Sequence, residues 1–224
     1  MLAERVSGVG NFAHALAFCQ AAEQAAACEV PRRARMLRSL LAELERLYNH
    51  LHYLGHLAHT TTLRVGEAEG KLLEERAKQI NSRLTGSRFL RGLLIPGGLR
   101  HDLAPKPWLD TAIEDLRQEI GGYIRRLEAT NSHLDRLITT GVLHRKAAFD
   151  QGATGPIERA SGIDRDLRRD HPYAGYPEIS IPVPVNEAGD AHARAQVRMA
   201  EIDASIAMIR RLLLLLPDGP IRAP

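Results

Sequence analysis

The sequence predicts a mainly α-helical protein: a bundle of about five helices with one long irregular segment and little strand, confined to a sheet edge. Three observations carry that prediction. Aromatic residues make up only 4% of a chain that is 44% hydrophobic, so the core must be built from Leu, Ala, Ile and Val, which favour helices over aromatic-rich strands. Apolar positions recur with three-four spacing over several turns, most clearly at Leu37, Leu40, Leu41, Leu44, Leu47, Tyr48, Leu51 and Leu54. The one alternating stretch, residues 178–185, is interrupted by Pro182 and Pro184, which restricts it to an edge strand.

The elements follow in order. Asn11 suits the N-cap of a first helix over residues 11–28, with Phe12, Leu16, Cys19, Ala22 and Ala26 on one face. Pro31 suits the first turn of a second helix that runs to about His59. A third, over 67–84, carries Leu72, Leu73, Ala77, Ile80 and Leu84 and is stopped by Gly86. Pro96-Gly97-Gly98 then demands a turn. A long fourth helix is predicted from about Pro107 to Thr139. Gly121 and Gly122 in its middle cost roughly 1 kcal/mol each against Ala, which calls for a close helix neighbour or a bend. Residues 141–177 are rich in Gly and Pro and read as mostly loop. The last helix, 190–216, aligns Ala195, Met199, Ile202, Ile206, Ile209, Leu213 and Leu216 on one stripe.

Composition removes several functions. The 30 basic and 27 acidic residues are interspersed with no polybasic block, so nucleic acid is not an expected partner. The longest apolar run, Leu212–Leu216, is far short of the ~20 residues of a membrane span. Cys19 and Cys28 form neither a disulfide framework nor a CxxC pair, which points to a reduced, cytoplasmic setting.

Four segments are candidates for chemistry. His52, His56 and His59 share one helix face; an i, i+4 pair can chelate a transition metal, and the competing reading is a polar face touching solvent or a partner. The segment 160–171 packs Asp164, Arg165, Asp166, Arg168, Arg169 and Asp170 into a loop, where a functional site and plain solvation weigh about equally. Gly97–Asp102 reads either as a tight turn or as a cation and imidazole able to tune a neighbouring redox centre. Residues 4–14 read by themselves as a flexible lead-in to the first helix.

Five motifs in order give these segments a common frame. Glu4, Arg5, Val6, Gly8, Val9, Phe12, Ala13 and His14 match the pattern E-R-I/V-C-G-I/V-C-x-F-A-H. Val30, Pro31, Arg33 and Ala34 match V-P-x-R-A. Leu41, Glu43, Leu44, Arg46, Leu47, His50 and Leu51 match L-x-E-V/L-x-R-L-x-x-H-L. Gly97, Gly98, Arg100, Asp102 and Leu103 match G-G-x-R-x-D-L. Arg159, Ala160, Ser161, Gly162, Asp166, Arg168, Asp170, Pro172, Tyr173 and Tyr176 match the pattern that begins R-A-S-G. Through these motifs nearly the whole chain resembles the large subunit of membrane-associated nickel–iron hydrogenases of the formate hydrogenlyase type. It equally resembles their relative, the 49-kDa component of respiratory complex I.

The resemblance implies a single helical domain over residues 1–224, equivalent to the N-terminal and central part of a longer subunit. It implies a subunit of an electron-transfer complex, NADH:quinone oxidoreductase or hydrogenase in kind. The alternative is a structural or interaction protein that has lost the chemistry. In the hydrogenase pattern two N-terminal cysteines hold the metals, and here those positions are Ser7 and Gly10, neither a thiolate. The chain is therefore expected to hold no metal or cofactor of its own and not to act as a hydrogenase alone. An iron–sulfur cluster is expected in a small partner subunit, with membrane subunits contacted indirectly, a place at the cytoplasmic face of the inner membrane, and a homodimer as the form in isolation. Complex I has a histidine where Arg100 stands. The family pattern places Arg100 and Asp102 toward the partner's cluster or a redox cavity, and His14 beside the vacated metal position. The family's longer chains also lead to an exposed apolar patch along residues 109–137 or 195–216, as a docking face for the remainder.

Overall fold

The computed structural model describes residues 2–103 and 107–224. A 3-10 turn at Leu2–Arg5 leads into α1 (Asn11–Ala25), α2 (Arg32–Thr60) and α3 (Arg64–Thr85). A two-stranded antiparallel ribbon follows, β1 (Leu94–Ile95) and β2 (Gly98–Leu99), then α4 (Trp108–Glu128). The segment after α4 holds only short pieces: α5 (Asn131–Leu134), α6 (Arg145–Asp150), α7 (Gly155–Arg159), α8 (Leu167–Asp170) and a 3-10 turn at Tyr176–Glu178. The long α9 (Ala191–Leu215) closes the bundle.

α2 is the axis of the molecule. It packs against α3 on one side and α9 on the other, α4 lies across both of those, and α1 covers the N-terminal half of α2. Most of its length is buried, and the apolar stripe read from its sequence lies in the core with Phe12, Leu16 and Cys19 of α1. The tightest crossing is at Gly55 of α2 and Gly70 of α3. A Cβ on Gly70 would stand 2.6 Å from Gly55 Cα and 2.7 Å from the Tyr123 hydroxyl of α4. That hydroxyl donates to the Gly66 carbonyl at 3.0 Å, so three helices meet where only hydrogen fits.

Four expectations are corrected. α1 ends at Ala25, because Ala27 adopts a left-handed φ of 50° and lets Cys28 N–H donate back to the Glu23 carbonyl at 2.9 Å. α4 ends at Glu128. The Thr130-Asn131-Ser132 run competes for backbone groups, and the Thr130 hydroxyl donates to the Arg126 carbonyl at 2.7 Å. Residues 178–185 form no strand: Pro182 and Pro184 lack ladder donors. Among the described residues the ladder is β1–β2, extended by a bridge from Gly98 to Arg222.

The fourth correction concerns the docking patch. Leu109, Ile113, Leu116, Ile120, Tyr123 and Leu127 are buried, and so are Ala195, Met199, Ile202, Ile206, Ile209 and Leu212. α4 and α9 cover each other and share the core with α2 and α3, so these stripes need no further partner. Leu214 near the end of α9 is exposed; other large exposed apolar side chains include Leu2, Val6, Val9 and Phe18 toward the N-terminus. Nothing in the structure explains Gly121 and Gly122: α4 runs on through both, and an added Cβ would meet only the Arg125 and Arg126 guanidiniums.

The two glycine sites should behave oppositely in urea denaturation. Gly70→Ala is expected to cost at least about 1–3 kcal/mol, since backbone rather than a flexible side chain blocks the methyl. Gly122→Ala should stabilise the fold by up to ~1 kcal/mol. A G70A protein as stable as its parent would contradict the three-helix contact.

Candidate functional site

A buried charge must be paired, and α2 buries Arg33, Arg38, Glu43, Glu45 and His50. The partner of each lies on another segment. Arg38 forms a two-pronged pair with Glu23 of α1, at 2.9 and 2.6 Å, and donates at 3.0 Å to the carbonyls of Ile95 and Gly98. Glu23 also accepts the Gly97 N–H at 2.7 Å, so one ion pair clamps the Pro-Gly-Gly turn. The turn needs its glycines: Gly97 has φ of 83°, and a Cβ on Gly98 would stand 2.0 Å from the Ile221 carbonyl oxygen of the C-terminal stretch.

Glu45 holds the start of α1. Gly10 offers no side-chain cap, and the Glu45 carboxylate instead accepts the N–H groups of Phe12 at 2.7 Å and Ala13 at 2.8 Å. Burial pushes the Glu45 pKa up against the pull of those N–H groups. The Tyr48 hydroxyl donates to the Val9 carbonyl at 2.9 Å. Gly92 joins this turn to the ribbon: its N–H donates to Glu4 at 2.7 Å and its carbonyl accepts from Arg100 Nε at 3.1 Å. The N-terminal turn and the ribbon thus form one end of the molecule.

The sequence-assigned residues divide there. Arg100 and His14 are exposed at this end. Asp102 is half exposed and faces inward to Arg33, with contacts of 3.1 and 3.2 Å, and Arg33 also donates to the Pro217 carbonyl at 2.7 Å. The two positions of the hydrogenase cysteines are adjacent: a Cβ on Gly10 would stand 3.6 Å from Ser7 Oγ and 3.7 Å from His14 Cδ2. Ser7 Oγ accepts the N–H groups of Val9 at 3.3 Å and Gly10 at 3.2 Å. A hydroxyl tied to its own turn and a glycine do not fit a nickel–iron centre, which takes soft thiolates.

The charged loop at 160–171 turns inward. Arg168 grips Asp166 with two hydrogen bonds, at 2.9 and 2.8 Å, and reaches Glu43 at 2.8 Å. The Tyr176 hydroxyl donates to the same Glu43 oxygen at 2.6 Å. Arg159 donates to Glu201 of α9 at 2.7 Å, and Arg46 and His50 reach the other Glu201 oxygen, each at 2.9 Å. Beside this network is a cavity of about 670 Å³, walled by Arg46, Pro156, Leu167 and Tyr173. Burial alone would raise Asp166 and Glu201. Arg168 outweighs it at Asp166, and the His50 hydrogen bond with the Arg46 and Arg159 charges outweighs it at Glu201, leaving both at about 2. Burial pulls His50 down to about 4, the Arg46 and Arg198 charges adding to it and Glu201 opposing.

Residue-level reading missed Glu201 and left Arg46 and His50 only as family-motif positions. The available signal was a charged residue inside the apolar stripe of α9, next to Ile202, and an Arg–His pair at i, i+4 on a buried helix. The histidine stripe lies apart from this network. His52 Nδ1 is 3.1 Å from Glu74, and His59 Nδ1 is 2.9 Å from Glu67.

The network gives a signed pH dependence. His50 is neutral when folded down to about 4 and titrates near 6.5 when unfolded. Its contribution is complete above pH 6.5 and is lost as the pH falls toward 4; that of Glu201 is lost only from 4.5 toward 2. Between those upper limits the unfolding free energy should drop by on the order of 1–3 kcal/mol more in the parent than in His50→Gln. Equal slopes in urea titrations would contradict the buried neutral imidazole.

Comparisons with known proteins agree with this geometry. The model of the respiratory-chain NADH dehydrogenase 49 Kd subunit matches residues 72–224, and the nickel-dependent hydrogenase model matches residues 1–83. Formate hydrogenlyase subunit 5 of Escherichia coli (strain K12) is 35% identical over 98% of this chain and 39% of its own length. The D-type component of NADH-quinone oxidoreductase from Rickettsia bellii (strain OSU 85-389) is 35% identical over 98% of this chain and 56% of its own. A solved chain of the membrane-bound sulfane sulfur reductase, an archaeal respiratory membrane complex, superposes with a TM-score of 0.81 and 32% identity, over 88% of this chain and 54% of that one. The chain thus spans about half the length of these relatives, or less. With its helical architecture, its clamped Gly-Gly turn and its Arg159–Tyr176 network in place, this chain belongs to the family of the respiratory-chain NADH dehydrogenase 49 Kd subunit, next to the nickel-dependent hydrogenases.

Proposed function

We propose that the chain works as a subunit of a membrane-associated electron-transfer complex, without a nickel–iron centre of its own. The end formed by the N-terminal turn and the ribbon seats a small iron–sulfur subunit. Membrane subunits are reached through the assembly, and the chain sits peripherally at the cytoplasmic face, in a quinone-linked reaction. One observation carries this reading. Glu45 holds the start of α1 and Arg38 holds the turn beside the position that the resemblance assigns to the hydrogenase metals, and that position holds Ser7 and Gly10.

Other features support it. That end presents Leu2, Val6, Val9 and Phe18 to solvent, an apolar surface of the kind that meets a protein partner. Arg100, exposed beside it, supplies a fixed positive charge that favours the reduced state of a nearby cluster. Among the described residues no helix is long and apolar enough to cross a membrane, in keeping with attachment through other subunits.

The test is purification of the native complex through a tag on this chain, with metal analysis and a redox titration followed by electron paramagnetic resonance. Expected are co-purification of an iron–sulfur subunit, its weakening by Val6→Asp, and no nickel–iron resonance signal. Arg100→Gln should lower the cluster potential on the order of tens of mV, as removal of a charge roughly 10 Å away requires. A nickel–iron resonance signal from the chain, or a potential indifferent to Arg100, would overturn the reading.

A further inference from the structure

The electron-transfer reading leaves the histidine stripe of α2 unused, and the stripe lies far along the helix from the N-terminal end, around and after the Gly55 crossing. His52, His56 and His59 are exposed and, with Glu67, Lys71 and Glu74 of α3, line a small cavity of about 180 Å³. From this geometry we propose that His56 and His59 form a two-histidine site for a first-row divalent transition-metal ion, oriented by Glu67 and completed by water.

The rings already stand together. Their centroids are 6.1 Å apart and their planes differ by 20°. The rings are stacked, so rotation about their exposed side-chain bonds is needed to turn one nitrogen of each toward a shared ion at the metal–nitrogen distance of roughly 2.0–2.1 Å. The second feature is the partner of His59. Its Nδ1 is 2.9 Å from Glu67 Oε2, and a carboxylate on one ring nitrogen fixes the proton there and leaves the Nε2 lone pair free to bind. Glu67 also accepts from Lys71 at 2.6 Å. Arg64 Nη1 lies 3.1 Å from both His59 Nδ1 and Glu67 Oε2; it donates to the carboxylate, and an ion on Nε2 requires the Nδ1 proton, so ion binding displaces any Arg64 hydrogen bond to Nδ1.

The same observations limit the site. Among the described residues no three ligand side chains are gathered closely enough to enclose an ion, so the site is open and most of its ligands are water. His52 is a full turn further from His59 than His56 is, and its Nδ1 is held by Glu74. Neutral imidazole suits zinc, nickel and copper, with copper bound most tightly. The ion would link two successive turns of α2 near its C-terminal end, a staple with no redox step.

Calorimetry on the full chain without a histidine tag, titrated with zinc, nickel and copper chlorides at about pH 7.5, tests the proposal. One ion per chain is expected, with copper tightest. His56→Ala and His59→Ala should each weaken binding by at least about tenfold, and Glu67→Gln by about 10–100-fold. His52→Ala should leave it within about twofold. The three histidines are exposed and Glu67 is partly covered, and circular dichroism of each variant controls for folding. Absence of saturable binding up to about 1 mM, or a loss that follows His52 and spares His59, would overturn the assignment.

Discussion

The fold depends on one constraint: the helix at the centre of the core is also the helix with the most buried charge. α2 supplies the Leu stripe that every long neighbour packs against, and between those leucines it carries Arg33, Arg38, Glu43, Glu45 and His50 out of water. An unpaired charge at any of these positions would cost several kcal/mol. Each must therefore draw a partner from elsewhere, and the partners are widely spread: the C-terminal stretch and Asp102, α1 with the ribbon, α8, the start of α1, and α9. The hydrophobic pattern assembles the bundle. The charges on α2 decide where the irregular segments lie on it.

That division bears on function. Buried ion pairs are weak evidence for stability, since apolar side chains of similar volume often do as well. They do fix position. Arg38 contacts the Pro-Gly-Gly turn through two carbonyls while Glu23 takes its Gly97 N–H, a geometry that no apolar side chain could impose. The N-terminal turn is likewise held by Glu45 and Tyr48 from inside, leaving its outer face free. Both segments at the proposed partner-binding end are thus positioned by the core.

The bundle is legible in the sequence wherever the apolar period is long. The predicted bounds of α2 and α9 agree with the structure to within a few residues, and Gly86 stops α3 as expected, in a left-handed conformation. Legibility fails where local chemistry competes with periodicity. Thr130-Asn131-Ser132 ends α4 although Leu134 and Leu137 continue its spacing, and the alternation at 178–185 lacks the donors to become a strand. The site is legible in residue types and not in pairings. Arg and Asp in the 160–171 loop are visible, but the partners Glu43 and Glu201 lie 125 and 42 residues away from the arginines that grip them. Sequence separation of that size carries no periodic trace, so only the fold could bring the pairs together.

The same reasoning explains why the expected docking face is misplaced. A longer relative suggests that α4 and α9 would wait uncovered for the rest of the chain. Their stripes instead close on each other and on the α2–α3 pair, because four amphipathic helices are enough to bury four apolar faces. What remains outside includes Leu2, Val6 and Val9 in the N-terminal turn, whose Val9 carbonyl accepts from Tyr48, and Phe18 on the outer side of α1. A short turn held by its backbone has no freedom to fold these side chains inward. Leu2, Val6 and Val9 add apolar surface at the end where Arg100 and His14 also emerge.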